Sequence, residues 1–106
     1  MANKPVILRD AARRDVDAHL DDYLTTAGEK VALRFVAALE AALQAMAVPP
    51  GAGSPRYAHE LDLPGLRSRG LARFPFLVFY LEREDVIDVW RVLHARRDIP
   101  AWLQDP

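Results

Sequence analysis

Two segments, Arg73-Phe74-Pro75-Phe76-Leu77-Val78-Phe79-Tyr80 and Val86-Ile87-Asp88-Val89-Trp90-Arg91-Val92-Leu93-His94-Ala95-Arg96-Arg97-Asp98-Ile99-Pro100, decide how this chain folds. Both are rich in Val, Ile, Leu and aromatic residues, and the charged run Glu82-Arg83-Glu84-Asp85 lies between them, the pattern of a strand hairpin. Pro75 has no amide hydrogen for a ladder, so the first strand is expected to start near Phe76 and run to Glu82. Leu77, Phe79 and Leu81 alternate with Val78 and Tyr80, which leaves both faces apolar, as in a central strand covered by helices on one side. The second strand is expected over Val86 to His94, with Trp90 and Arg91 pointing to opposite faces. A buried Arg91 would need a carboxylate or carbonyl partner. The strand then ends in the cationic tip His94-Ala95-Arg96-Arg97-Asp98.

Upstream, Leu66 to Arg69 reads as a third strand, closed by Gly70. Pro49-Pro50-Gly51-Ala52-Gly53-Ser54-Pro55 is the one low-complexity stretch and predicts a loop, too short to separate domains. Before it lie two helical patterns. Ala12, Val16, Leu20, Tyr23, Leu24 and Ala27 recur at three- and four-residue steps after Asp10, a candidate N-cap. Asp15, Asp17, Asp21 and Asp22 fall mostly on the opposite, solvated face. Gly28 is the expected break. Val31, Leu33, Phe35, Val36, Leu39, Leu43 and Met46 form the second pattern, which stops at Pro49-Pro50. Alanines at 37, 38, 41, 42, 45 and 47 allow another backbone to approach, so this helix is expected to lie on a sheet or on the first helix. Val6-Ile7-Leu8, after Pro5, is long enough for a strand and too short for a helix.

The 106 residues, 51% hydrophobic and 27% charged, describe a single domain, 1–106, with one modest core. Fourteen Lys and Arg against 15 Asp and Glu give a formal charge of -1, without the basic excess that drives non-specific nucleic-acid binding. Any cationic site is therefore local. Twelve of the cations are Arg, a bias that genomic base composition produces as readily as a need for planar phosphate or carboxylate recognition. The absence of cysteine excludes disulfides, thiolate zinc sites and cysteine nucleophiles. His19, His59 and His94 have no ligand spacing, so no metal or cofactor is expected. Ser54 and Ser68 lack a nucleophile-elbow context, and Gly51 and Gly53 do not form a phosphate loop. No signal peptide or membrane-length apolar run is visible, and the expected location is the cytoplasm.

The order strand, helix, helix, strand, strand, strand, together with Leu66-Arg67-Ser68, Phe74-Pro75-Phe76-Leu77-Val78-Phe79-Tyr80 and Arg91-Val92-Leu93-His94-Ala95-Arg96-Arg97-Asp98-Ile99-Pro100, resembles the RelE/ParE superfamily of type II toxin-antitoxin systems, and looks closest to its ParE branch. The resemblance spans nearly the whole chain. It implies an α+β fold, β-α-α-β-β-β, with a helical hairpin packed on a small twisted, mainly antiparallel sheet and a short C-terminal helix. It also implies a cognate ParD-like antitoxin in an apolar groove near the first helix and the sheet edge, a hetero-oligomer with that antitoxin, and DNA contact only through it.

Function divides within the superfamily. RelE-like members cut messenger RNA on the ribosome with cationic groups on the scissile phosphate and a general base and acid. A lysine-based site of that kind has no counterpart here, because Lys4 and Lys30 both lie outside the strand half. The last tyrosine is Tyr80, and the aromatic near the chain end is Trp102, whose indole has no titratable proton near neutral pH. Glu60 as base, Arg67 or Arg69 on the phosphate and His94 as acid form the alternative nuclease set. A pI near 6.3, and eight arginines matched by eight acids from Ser54 onward, favour a protein target. ParE-like toxins are associated with poisoning DNA gyrase, catalysing nothing themselves. The expected target surface is Arg67, Arg69, His94, Arg96, Arg97 and Trp102, since Arg and Trp are enriched at interface hot spots. The tip also has a structural reading: Arg96-Arg97-Asp98 is a solvated strand end whose Asp98 caps a short helix over Ile99 to Leu103, Trp102 packs on a core edge, and His94 is satisfied at a strand end. A third reading is a non-toxic relative that binds an antitoxin.

Overall fold

The computed structural model describes residues 4–47 and 53–96. The helix stop at Pro49-Pro50, Arg97, the Asp98 cap, the C-terminal helix and Trp102 lie outside the described residues. The elements are β1 (Val6–Leu8), α1 (Asp10–Thr26), α2 (Glu29–Met46), α3 (Arg56–Glu60), β2 (Leu66–Leu71), β3 (Phe74–Glu82) and β4 (Ile87–His94). They form one four-stranded sheet of order β1-β4-β3-β2, in which β1 runs parallel to β4 and the other two pairs are antiparallel. This is the α+β arrangement expected, with α1 against β4 and α2 against β2 and β3. None of the described helices is long and apolar enough to cross a membrane.

The alternation in β3 divides the core. Phe76, Val78 and Tyr80 pack towards α1 and α2 with Phe35, Leu39, Met46, Val89 and Val92, while Phe79 joins Leu66 and Leu93 on the other face. Complete burial of side chains such as Phe35, Phe79 and Val78 contributes about 1.5–3 kcal/mol each. On the second face Tyr57 of α3 meets Phe79 edge-on, with ring centroids 5.2 Å apart. The sequence pattern did not show α3: five residues between Pro55 and Leu61 make little more than one turn, too few for a period to register.

The helical hairpin departs from the pattern at several positions. Arg9, not Asp10, is the N-cap of α1, and Asp10 sits in its first turn, where a carboxylate complements the helix dipole. Leu24 and Leu33 are exposed despite their spacing, and His19 is buried in their stead. Thr25 and Thr26 hydroxyls donate back to the Asp21 and Asp22 carbonyls, and the Ala27 and Gly28 amides both donate to Tyr23 O. Gly28 then takes φ +94°, a conformation that suits glycine and turns the chain into α2.

Asp15 is the main correction to the solvated acidic face, because it points inward. Its two oxygens accept from Nε and Nη2 of Arg91, each at 2.7 Å, a bidentate pair almost wholly removed from solvent. The partner that a buried Arg91 requires is therefore a carboxylate of α1. Asp15 Oδ2 also accepts from the Val92 amide at 3.0 Å, and one turn later His19 Nε2 lies 2.8 Å from the Val92 carbonyl. A carbonyl can only accept, so the His19 Nε2 carries the proton. β1 covers β4 only as far as Val89, and in an antiparallel strand the N–H and C=O of one residue point the same way. Asp15 and His19 thus supply to Val92 the bonds that a longer β1 would have made.

Removing one partner of this pair leaves the other charged and unpaired. Asp15→Ala is expected to lower the unfolding free energy by about 3–5 kcal/mol, measured by urea denaturation, with an Asp15→Leu/Arg91→Met double variant recovering most of the loss.

Candidate functional site

The register sets where the candidate cations project. Arg67 pairs with Tyr80, Arg69 with Val78 and His94 with Phe76, and those three β3 residues face the helices, so Arg67, Arg69 and His94 share the helix side of the sheet. Arg67 is half-buried and its Nη1 donates to Gly53 O at 2.9 Å. Ser54 and Ser68 exchange both backbone hydrogen bonds at 2.9 Å, which fixes the incoming loop along β2. Gly53 packs directly on the Tyr80 hydroxyl, where any Cβ would overlap it. Burial raises the Tyr80 phenol above its ordinary value, and a backbone hydrogen bond from Gly53 draws it partly back.

His94 closes β4, its ring edge-on to Phe76 at 5.5 Å. Its Nδ1 accepts from the Arg96 amide at 3.1 Å, which leaves Nε2 to carry the proton of the neutral ring. The Ala95 amide donates to Pro75 O at 2.8 Å and holds the strand exit beside the start of β3. Arg96 is exposed there, and Arg73, in the turn that enters β3, lies at the same end of the sheet. Arg97 and Trp102 belong to the undescribed residues.

Glu60, Arg67 and His94 are not brought together. Glu60 is on α3, which packs on the other face, and it lies 3.5 Å from Arg56 in an exposed ion pair. Arg67 and His94 share a face, but they are offset by four residues along β3, roughly 13 Å, and by two strand spacings, roughly 10 Å. No single phosphate could be met by all three. Among the described residues no group of three His, Asp or Glu could hold a metal ion.

Several other cations serve the fold. Asp88 accepts from Arg9 at 3.0 and 2.9 Å, from Arg83 at 2.8 Å and from Trp90 Nε1 at 3.2 Å, while the Arg9 guanidinium lies 4.3 Å from the Trp90 ring centroid. Lys4 pairs with Glu82 at 2.7 Å. By contrast Arg34, Arg69 and Arg73 meet no carboxylate among the described residues. All three line grooves between α2 and the β2–β3 turn. Sequence reading singled out Arg69 alone of these; Arg34 and Arg73 converge with it only through the packing of α2 on the sheet.

A helical hairpin on a four-stranded sheet, with His94 and the exposed Arg96 at the exit of β4, defines a small α+β domain. Residues 6–99 match the family of the ParE toxin of type II toxin-antitoxin system, parDE, and the chain belongs to that family. Its fold is similar to a solved chain described as the chromosomal ParDE TA system from P. aeruginosa, with a TM-score of 0.73 at 24% identity, covering 88% of this chain and 97% of that one. No curated protein sequence matches it.

Burial alone would raise the Asp88 carboxyl, but the bonds from Arg9, Arg83 and Trp90 outweigh it and hold the group below its usual value. Such a group contributes stability above its unfolded pKa and loses it as pH falls through the folded one. Unfolding free energies measured between pH 6 and about pH 2 should therefore fall less steeply below about pH 4 in Asp88→Asn than in the parent chain. Gly53→Ala should cost about 1–3 kcal/mol by overpacking against Tyr80, and Tyr80→Phe in that background should recover part of it in a thermal melt.

Proposed function

We propose that this chain is the toxin of a type II pair that arrests growth by binding and poisoning DNA gyrase, and that a ParD-like antitoxin neutralises it in a hetero-oligomer. The separation of Glu60, Arg67 and His94 carries the choice of binding over catalysis: general acid-base cleavage needs both proton-transfer groups within hydrogen-bond reach of one scissile phosphate. Family membership over residues 6–99 supports the gyrase target. Arg69, His94, Arg96, Arg97 and Trp102 are the proposed contact residues. Arg67 belongs at the margin of that surface, because it is already tied to Gly53. The chain acts in the cytoplasm, where its target resides, and touches DNA only through the antitoxin.

Induction of the chain in a bacterial host tests this. The expected outcome is a DNA-damage response with trapped gyrase cleavage complexes and unchanged 5' ends in translated messages. New cleavage within codons, without gyrase complexes, would replace it with the ribosome-dependent nuclease, and normal growth would leave the non-toxic antitoxin-binding relative. A folded His94→Ala/Arg96→Ala/Arg97→Ala variant is expected to reduce the loss of viability by at least about tenfold, counted as surviving colonies.

A further inference from the structure

The two edges of the sheet are not alike. Ser54 exchanges both backbone bonds with Ser68 along β2, whereas β1, at the opposite edge, has no strand outside it among the described residues. The Ile87 amide donates to Pro5 O and the Arg9 amide to Val89 O, so residues 5, 7 and 9 turn their backbone polar groups towards β4. Val6 and Leu8 therefore turn theirs outward. Among the described residues only Arg13 meets them: its exposed side chain reaches Leu8 O from Nε at a long 3.4 Å. Pro5 does not blunt this edge, because its missing donor faces β4. Val6 and Leu8 pack their side chains towards the helices, and Ile7 between them is 50% exposed on the other face. An edge with outward polar groups and an uncovered apolar side chain is a template for a further strand.

We propose that β1 pairs with β1 of a second copy of this chain, antiparallel about a two-fold axis through Ile7, so that two sheets join edge to edge. The edge has the same order in both directions from Ile7: an outward residue, the exposed isoleucine, an outward residue. That is what an isologous contact requires. With Ile7 opposite Ile7 of the second copy, Val6 faces Leu8 and Leu8 faces Val6, and each of these pairs exchanges both backbone bonds. The amide of Leu8 and both groups of Val6 then find partners, and Leu8 O exchanges its long contact with Arg13 for a backbone amide. Ile7 forms the non-hydrogen-bonded pair on the axis, where side chains approach most closely, and is covered by its own counterpart. The same register sets Lys4 against Asp10 of the second copy. Lys4 Nζ donates to Glu82 and to Arg83 O and keeps one N–H to give, and Asp10 is exposed with no ion pair among the described residues. Charge therefore complements the register on both sides of the axis. The contact lies at the far edge from β2, so it leaves Arg69 and the α2 cleft open, and it does not depend on what the chain arrests.

Sedimentation velocity of the whole chain at rising concentration tests this, with amide exchange followed by NMR. Three-residue strands make a small interface, so the expected outcome is a monomer–dimer equilibrium with a dissociation constant of roughly 10–100 µM. Exchange of the Val6 and Leu8 amides should slow as the dimer fills. Ile7→Lys, at an exposed position, sets two ammonium groups on the axis and should weaken the dimer by at least about tenfold. The chain has no cysteine, so Ile7→Cys reports the axis directly. Facing Cα atoms about 4.5 Å apart lie within disulfide range, and oxidation should link two copies at least about tenfold faster than in Leu33→Cys, which is exposed on α2. A parent chain that stays monomeric throughout, with Ile7→Cys linking no faster than Leu33→Cys, overturns the proposal. A dimer that Ile7→Lys leaves undiminished, with native circular dichroism, also overturns it, because the contact then lies elsewhere. So does protection of the Val6 and Leu8 amides that appears only when the ParD-like product of the neighbouring reading frame is added, which gives the edge to the antitoxin. None of these results bears on the toxin reading.

Discussion

The bidentate pair between Asp15 and Arg91 is the constraint on which the remaining structure depends. It joins the first helix to the last strand across 76 residues of chain, and the Val92 amide and carbonyl are satisfied within the same junction. β1 is only three residues long, so without α1 the outer edge of β4 would present unpaired backbone groups beyond Val89. The pair fixes where α1 lies over β4, and the aromatic cluster of Tyr23, Phe35, Phe74 and Phe76 forms beneath the hairpin that α1 begins. α2 follows from the Gly28 turn, and the position of α2 determines the width of the cleft against β2.

Charge is divided by role across the molecule. Arg9, Arg91 and Lys4 are held by Asp88, Asp15 and Glu82 and tie distant parts of the chain to one another, while Arg83 joins Asp88 across the β3–β4 turn. Arg34, Arg69 and Arg73 beside the α2 cleft and Arg96 at the exit of β4 meet no such carboxylate among the described residues. A near-zero net charge therefore coexists with a locally cationic side, which suits a protein partner better than an extended polyanion.

The strand half was legible because β3 and β4 are rich in Val, Ile, Leu and aromatic residues with a charged tip between them, and because Pro and Gly punctuate the joins. The need of Arg91 for a counter-charge was legible from its place in an apolar strand. Its identity was not: Asp15 sits among Asp10, Asp17, Asp21 and Asp22, and only the docking angle of α1 distinguishes the carboxylate that turns inward. For the same reason Leu24 and Leu33 looked like core residues, while His19 found burial through its bond to Val92. The alanines of α2 announced a close approach, but whether it would be to the sheet or left as an open cleft depends on the height at which Phe35 and Leu39 hold the helix. The candidate cations were legible as residues and not as a constellation, since register places Arg67 well away from His94.

One irregularity in β4 has a reach beyond its own residue. Phe79 pairs with Arg91 and Tyr80 with Val89, so Trp90 is an extra residue bulged out of the ladder. Strand side chains alternate by parity, and one additional residue changes that parity for everything downstream. Ile87 and Val89 look towards the helices; after the bulge it is Val92 and His94 that do so, and Leu93 that turns away. Trp90 thus acts as a phase shifter for the strand. It decides which side of the sheet receives the chain's last histidine, and in a relative lacking that residue the same exit sequence would present its imidazole to the opposite face.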